Sequence, residues 1–207
     1  MEKIRLWDIL LYPERLYMRL NSKKLSMILG IIFVGIVDMT IPLVFYYNKY
    51  FTDRTGKDLY YNIGMAVLFI LILGIIDVLF TCIPLFDLFK RFGTKNKNFA
   101  DSSYLVKLMK IYVLAHFLVI PVNVLFETAV IKFDVASSIT FAYIYTIYVE
   151  ILAPVWFNGI MTRGIRVIYN FDNVVKTVIF FILMFWSTLV GIALNYILGN
   201  WIIHVFH

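Results

Sequence analysis

Residues 63–86 read IGMAVLFILILGIIDVLFTCIPLF, twenty-four residues in a row with Asp77 as the single charge. About 20 mostly apolar residues in a helix cross about 30 Å of hydrocarbon, so this stretch is long enough to span a bilayer. Inside a bilayer the backbone must satisfy its own hydrogen bonds, and a helix does so within one segment. Working outward, similar stretches run over 25–47, 105–126, 139–161 and 176–197. The sequence therefore predicts an all-α, polytopic transmembrane bundle of five spans in which residues 25–207 form one membrane domain. Residues 198–207 remain apolar, and Gly199 with Asn200 is expected to break the helix and leave Trp201 at the far interface.

Composition agrees. The chain is 62% hydrophobic and 15% charged, where soluble domains run nearer half and a quarter. Cys82 is the only cysteine, which excludes an intramolecular disulfide and a cysteine zinc site. The net charge of +6 invites a nucleic-acid reading. The basic residues flank apolar spans, however, and attraction to anionic headgroups explains them better. No cleavable signal peptide is expected, because the first apolar run is long enough to span and no small-residue cleavage site follows it.

Residues 1–24 interleave apolar and basic side chains. Arg5, Trp7, Arg15, Arg19, Lys23 and Lys24 mark them as an amphipathic segment lying on the inner leaflet, with Pro13 opening its second part. Orientation follows from Lys and Arg. The N-terminus, the second loop and the fourth loop carry fifteen of them; the first loop, the third loop and the C-terminus carry four. The basic side faces the cytoplasm, so the N-terminus is predicted inside and the C-terminus outside a bacterial inner membrane.

Four spans carry an ionisable group near mid-depth: Asp38, Asp77, His116 and Glu150. Asn123 lies seven residues beyond His116 on the same helix face, and Asn158 adds a second amide. Acids at this depth are costly and normally face the bundle interior with partners. No Lys or Arg lies deep in a span to neutralise them. Their convergence would make a midplane site for a proton, another cation or a polar headgroup. The plainer reading is that each acid bonds a neighbouring Tyr, Thr or backbone group and fixes packing.

Pro42, Pro84, Pro121 and Pro154 fall late in the first four spans. Each frees the carbonyl four residues earlier and bends its helix. For Pro42 and Pro154 those carbonyls belong to Asp38 and Glu150, though kinks that only shape the bundle are the simpler account. There is no HExxH, GxSxG or P-loop, so neither an enzyme, a metal site nor a cofactor is expected.

In its order of segments the chain resembles the bacterial branch of the Yip1 family of five-span membrane proteins. The resemblance rests on Leu6-Trp7-Asp8-Ile9-Leu10-Leu11-Tyr12-Pro13-Glu14-Arg15-Leu16 and on the basic loop Arg91 to Asp101 leading into Leu105-Val106-Lys107. It continues through Trp156 and the stretch from Gly164-Ile165-Arg166 to Asn173-Val174-Val175-Lys176. It covers nearly the whole chain by pattern, without a sharp motif. It implies a membrane-shaping or trafficking type of protein and supplies no catalytic residues. The acidic aromatic-Gly-Pro motif of eukaryotic members is absent, so their small-GTPase partnership is not carried over.

The sequence thus favours a non-enzymatic organiser of membrane partners or lipids. A small transporter or channel using the midplane acids is the alternative. The expected partners are the lipid bilayer and a second membrane protein or further copy of the chain, with no nucleic acid.

Overall fold

The computed structural model describes residues 14–45, 47–92, 102–132 and 139–206. Every regular element among them is helical. In chain order these are α1 (Glu14–Met18), α2 (Lys24–Phe45), α3 (Gly56–Phe92), α4 (Ser102–Lys132), α5 (Ile139–Ile147), α6 (Ala153–Tyr169) and α7 (Asn173–Ile197). Among the described residues, four stretches are long and apolar enough to cross a membrane: Gly56–Arg91, Ser102–Phe126, Thr140–Tyr169 and Asn173–Val205. This agrees with an integral membrane protein. Helix α2, on the first predicted span, has 22 residues.

The helices overrun the predicted spans because helical geometry continues into polar flanks. α3 has 37 residues, about 55 Å of helix against about 30 Å of hydrocarbon. Its ends are polar, with Asp58 in the first turn and an exposed Asp87–Arg91 ion pair of 3.2 Å in the last turns. Asn170, at φ 52°, ends α6 in the left-handed conformation that Asn tolerates.

By its contacts the chain divides into two units. The first comprises Met1–Asn21 with Leu114–Phe185, and the second Ser22–Val113 with Trp186–His207.

In the second unit α2 packs directly on α3 through glycines. A Cβ on Gly35 would lie 1.9 Å from the Ile70 carbonyl oxygen, and one on Gly74 would lie 2.2 Å from that of Ile31. Only the missing side chains permit that approach. The end of the chain packs on the connection between α2 and α3. Phe206 is buried with Met39, Tyr50, Leu73 and Ile202, and its ring lies 5.1 Å from that of Tyr50. Tyr50 donates to the Ile203 carbonyl at 3.2 Å, and Asn62 Nδ2 donates to the Tyr50 carbonyl at 2.8 Å. The predicted break at Gly199 and Asn200 is instead one wide π turn, Leu198–Ile202, which carries the helix on to Val205; Trp201 is exposed.

In the first unit α1 rests on α6. Tyr17 is buried, and its hydroxyl donates to the Ile160 carbonyl at 3.2 Å. Burial pushes the phenol's pKa up, against a smaller opposing pull from Arg163. The expected interfacial residues Arg5 and Trp7 lie outside the described residues. Arg15 falls within α1, while Arg19, Lys23 and Lys24 are exposed.

Candidate functional site

The second unit assembles its polar centre where α2 crosses α3. The contacts of Gly35 with Ile70 and of Ile31 with Gly74 are reciprocal and antiparallel. A local pseudo-two-fold axis therefore passes between the two glycines. The sequence repeats across it: Gly35-Ile36-Val37-Asp38 in α2 faces Gly74-Ile75-Ile76-Asp77 in α3. Each aspartate stands nearly one turn beyond its glycine. Because a helical Cβ leans toward the N-terminus, both side chains tilt back toward the crossing. Asp38 and Asp77 present carboxylate oxygens within 4.8 Å of each other.

Asp77 is buried at 2% exposure and accepts from Tyr112, whose hydroxyl lies 2.9 and 2.8 Å from its two oxygens. Thr81, one turn along α3, donates to the Tyr112 oxygen at 3.5 Å, at the edge of bonding range. Asp77 thus has the tyrosine partner that a packing role predicts. Asp38 differs. Its Oδ2 is buried and has no hydrogen-bond partner among the described residues. Buried polar atoms are rarely left so, and each exception calls for a proton, ion or water.

Two carboxylates would also attract a hard cation, but such ions take six or more oxygens. Among the described residues of this unit, Tyr112 and Thr81 stand beside the two acids, and the single hydrogen of the Tyr112 hydroxyl is shared between the Asp77 oxygens. One proton satisfies the pair with fewer ligands.

The other predicted site residues belong to the first unit. His116 meets Phe157 edge-on, with ring centroids 4.8 Å apart. Asn123 accepts from Tyr148, whose ring stacks on Phe126 at 3.9 Å. Asn158 is buried; its amide donates to the Pro154 carbonyl at 2.8 Å and to Met184 Sδ at 3.3 Å. These amides join neighbouring helical segments. Glu150 is exposed, within the π turn Tyr148–Leu152 that precedes Pro154. In that turn Ala153 N–H reaches back to the Tyr148 carbonyl.

Pro84 is accommodated differently: α3 runs through it unbroken. The carbonyl it frees is that of Phe80, and the Trp186 indole N–H donates to that oxygen at 3.2 Å. Pro121 likewise lies within α4 and Pro42 within α2.

Sequence reasoning missed Tyr112, Thr81 and Trp186. The repeated Gly-Ile-(Val/Ile)-Asp at 35–38 and 74–77 was a readable signal, visible only when the two spans are set side by side. No protein-family model, curated protein or solved structure matches the chain.

Proposed function

We propose that the chain is a five-span, non-enzymatic inner-membrane protein that carries a proton on the Asp38–Asp77 pair and couples it to passage across the membrane. The observation behind this reading is the buried Asp38 Oδ2 without a hydrogen-bond partner, within a unit where Asp77 already has Tyr112. Packing alone accounts for Asp77 and leaves Asp38 unexplained. Two carboxylates this close and away from water are relieved of their repulsion by one shared proton. The pseudo-two-fold relation supports the same reading. Inverted repeats let one central site present equivalent faces to the two sides of a membrane, and here a single helical hairpin supplies the relation. The Lys and Arg distribution supports a cytoplasmic N-terminus.

Flux in proteoliposomes tests this. Wild-type protein under an imposed pH gradient is expected to dissipate it faster than empty vesicles, and Asp38→Asn and Asp77→Asn to lose that excess while remaining folded. Normal flux in both variants removes the pair from the mechanism.

A second reading, an organiser of membrane partners of the Yip1-like kind, is favoured by a different observation. The stretch Thr140–Tyr169 is the least apolar of the four and the least buried, 6% of its apolar window against 39% for Gly56–Arg91, and it exposes Glu150. A helix facing lipid alone would be the more apolar one. In-membrane crosslinking from position 150 tests it: a stoichiometric adduct with another membrane protein supports the organiser, and lipid adducts alone count against it.

A further inference from the structure

Tyr148 fixes the rotation of the stretch Thr140–Tyr169. It is buried, stacks on Phe126 and donates to Asn123, so it faces α4. Glu150 stands two residues on, roughly half a turn around the axis, and is exposed. Among the described residues it has no hydrogen bond and no ion pair. Its surroundings on that side are apolar, with Ile144, Ile151, Leu152 and Val155 all exposed. The face is thus a lipid-type surface with one carboxylate set into it. Thr146, one turn earlier, is exposed as well. Its hydroxyl donates to the Ala142 carbonyl at 2.9 Å, which leaves the oxygen a lone pair for a donor from outside.

Glu150 lies halfway between 139 and 161, at the middle of the apolar span. Phospholipid headgroups stay at the membrane surface, and hydrocarbon offers a carboxylate nothing. The group that answers Glu150 must therefore be carried to mid-depth by another helix. A cation answers it best, because it donates hydrogen bonds and cancels the charge. A second copy brings no Lys or Arg to that depth in its spans. Two copies joined symmetrically by this face would set Glu150 against Glu150.

We infer that the exposed face around the π turn Tyr148–Leu152 docks a transmembrane helix bearing a lysine or arginine near its centre, paired with Glu150 and assisted by the Thr146 oxygen. The inference rests on the organiser reading and gives that partner its chemistry. Proton carriage on the aspartates plays no part in it.

Synthetic transmembrane peptides test it against the full chain in phosphatidylcholine proteoliposomes. Two Leu-Ala helices of about 20 residues are compared, one with a central lysine and one with leucine in its place. Association is read by energy transfer between labelled peptide and labelled protein. Wild type is expected to favour the lysine peptide about tenfold, the scale of an interhelical polar contact in a bilayer. Glu150→Gln, at an exposed position that spares the fold, should bind both peptides alike. Thr146→Val should keep part of the preference. Equal binding of the two peptides to wild type, or a preference retained in Glu150→Gln, overturns the inference. So does self-association of wild type that Glu150→Gln abolishes, because the face then takes a second copy. A protein adduct crosslinked from position 150 alongside equal peptide binding would leave the organiser reading standing and remove the charge pairing. Lipid adducts alone with equal peptide binding would remove both.

Discussion

Adding one methyl group at the crossing of α2 and α3 should separate the two aspartates. A Cβ on Gly35 would sit 1.9 Å from the Ile70 carbonyl oxygen, and on Gly74 2.2 Å from that of Ile31. The closest comfortable C···O approach is about 3.3 Å, so the helices must part by roughly 1 Å or more. Both obstructing atoms belong to backbone, so no side chain can rotate away. Overpacking of this kind costs about 1–3 kcal/mol, and a two-backbone contact belongs at the upper end. Alanine returns up to about 1 kcal/mol through its better helix propensity. Gly35→Ala or Gly74→Ala should therefore each destabilise the protein by ~2 kcal/mol. The double variant should cost less than the sum, because one separation relieves both clashes. Gly64→Ala is the control: nothing lies within 4 Å of its Cβ, so it should be neutral or slightly stabilising. Reversible unfolding in mixed micelles measures all four. Indistinguishable effects of Gly35→Ala and Gly64→Ala, or single effects that add fully, would mean that the two helices do not meet at these glycines.

Three further outcomes are expected. Tyr112→Phe removes the donor to both oxygens of Asp77, and loss of a buried bond to a carboxylate should cost about 2 kcal/mol in unfolding; a loss under ~0.5 kcal/mol would mean that water replaces the phenol. Trp186→Phe strands the Phe80 carbonyl that Pro84 frees, so it should cost about 1 kcal/mol in the wild-type background and far less in Pro84→Ala, where the helix can reclaim that oxygen. The contact of α1 with α6 should depend on high pH: burial raises the pKa of Tyr17 and favours its neutral form, so the stabilisation is complete below the ordinary tyrosine value of about 10 and is lost as pH climbs beyond it. Hydrogen exchange in α1 should accelerate in that range for wild type and show no such step in Tyr17→Phe.

The fold was largely legible because hydrophobic length is a one-dimensional signal. The four membrane-length stretches coincide with the second to fifth predicted spans, and α2 occupies the first. Their ends were less legible, since α3 gains a polar turn or more at each end that hydropathy does not count. The site was legible only in part. Depth could be read from position along a span, and it grouped Asp38 and Asp77 with His116 and Glu150 without telling which of the four are neighbours. Rotation about the helix axis could not be read, and it is rotation that leaves Glu150 exposed. Tyr112 escaped notice because tyrosine is common in this chain and only its aim at Asp77 distinguishes it. The amphipathic pattern of residues 1–24 did not show that Tyr17 is buried with its hydroxyl on the Ile160 carbonyl.

The infrared spectrum of the protein in bilayers decides whether the Asp38–Asp77 pair holds a proton, because a protonated carboxyl absorbs apart from an ionised one. Wild type at neutral pH should show a protonated-carboxyl band that disappears in Asp38→Asn and shifts in Tyr112→Phe, which alters the hydrogen bonding of its partner Asp77. A wild-type spectrum with no such band at neutral pH, or a band untouched by Asp38→Asn and Asp77→Asn alike, would contradict the shared proton.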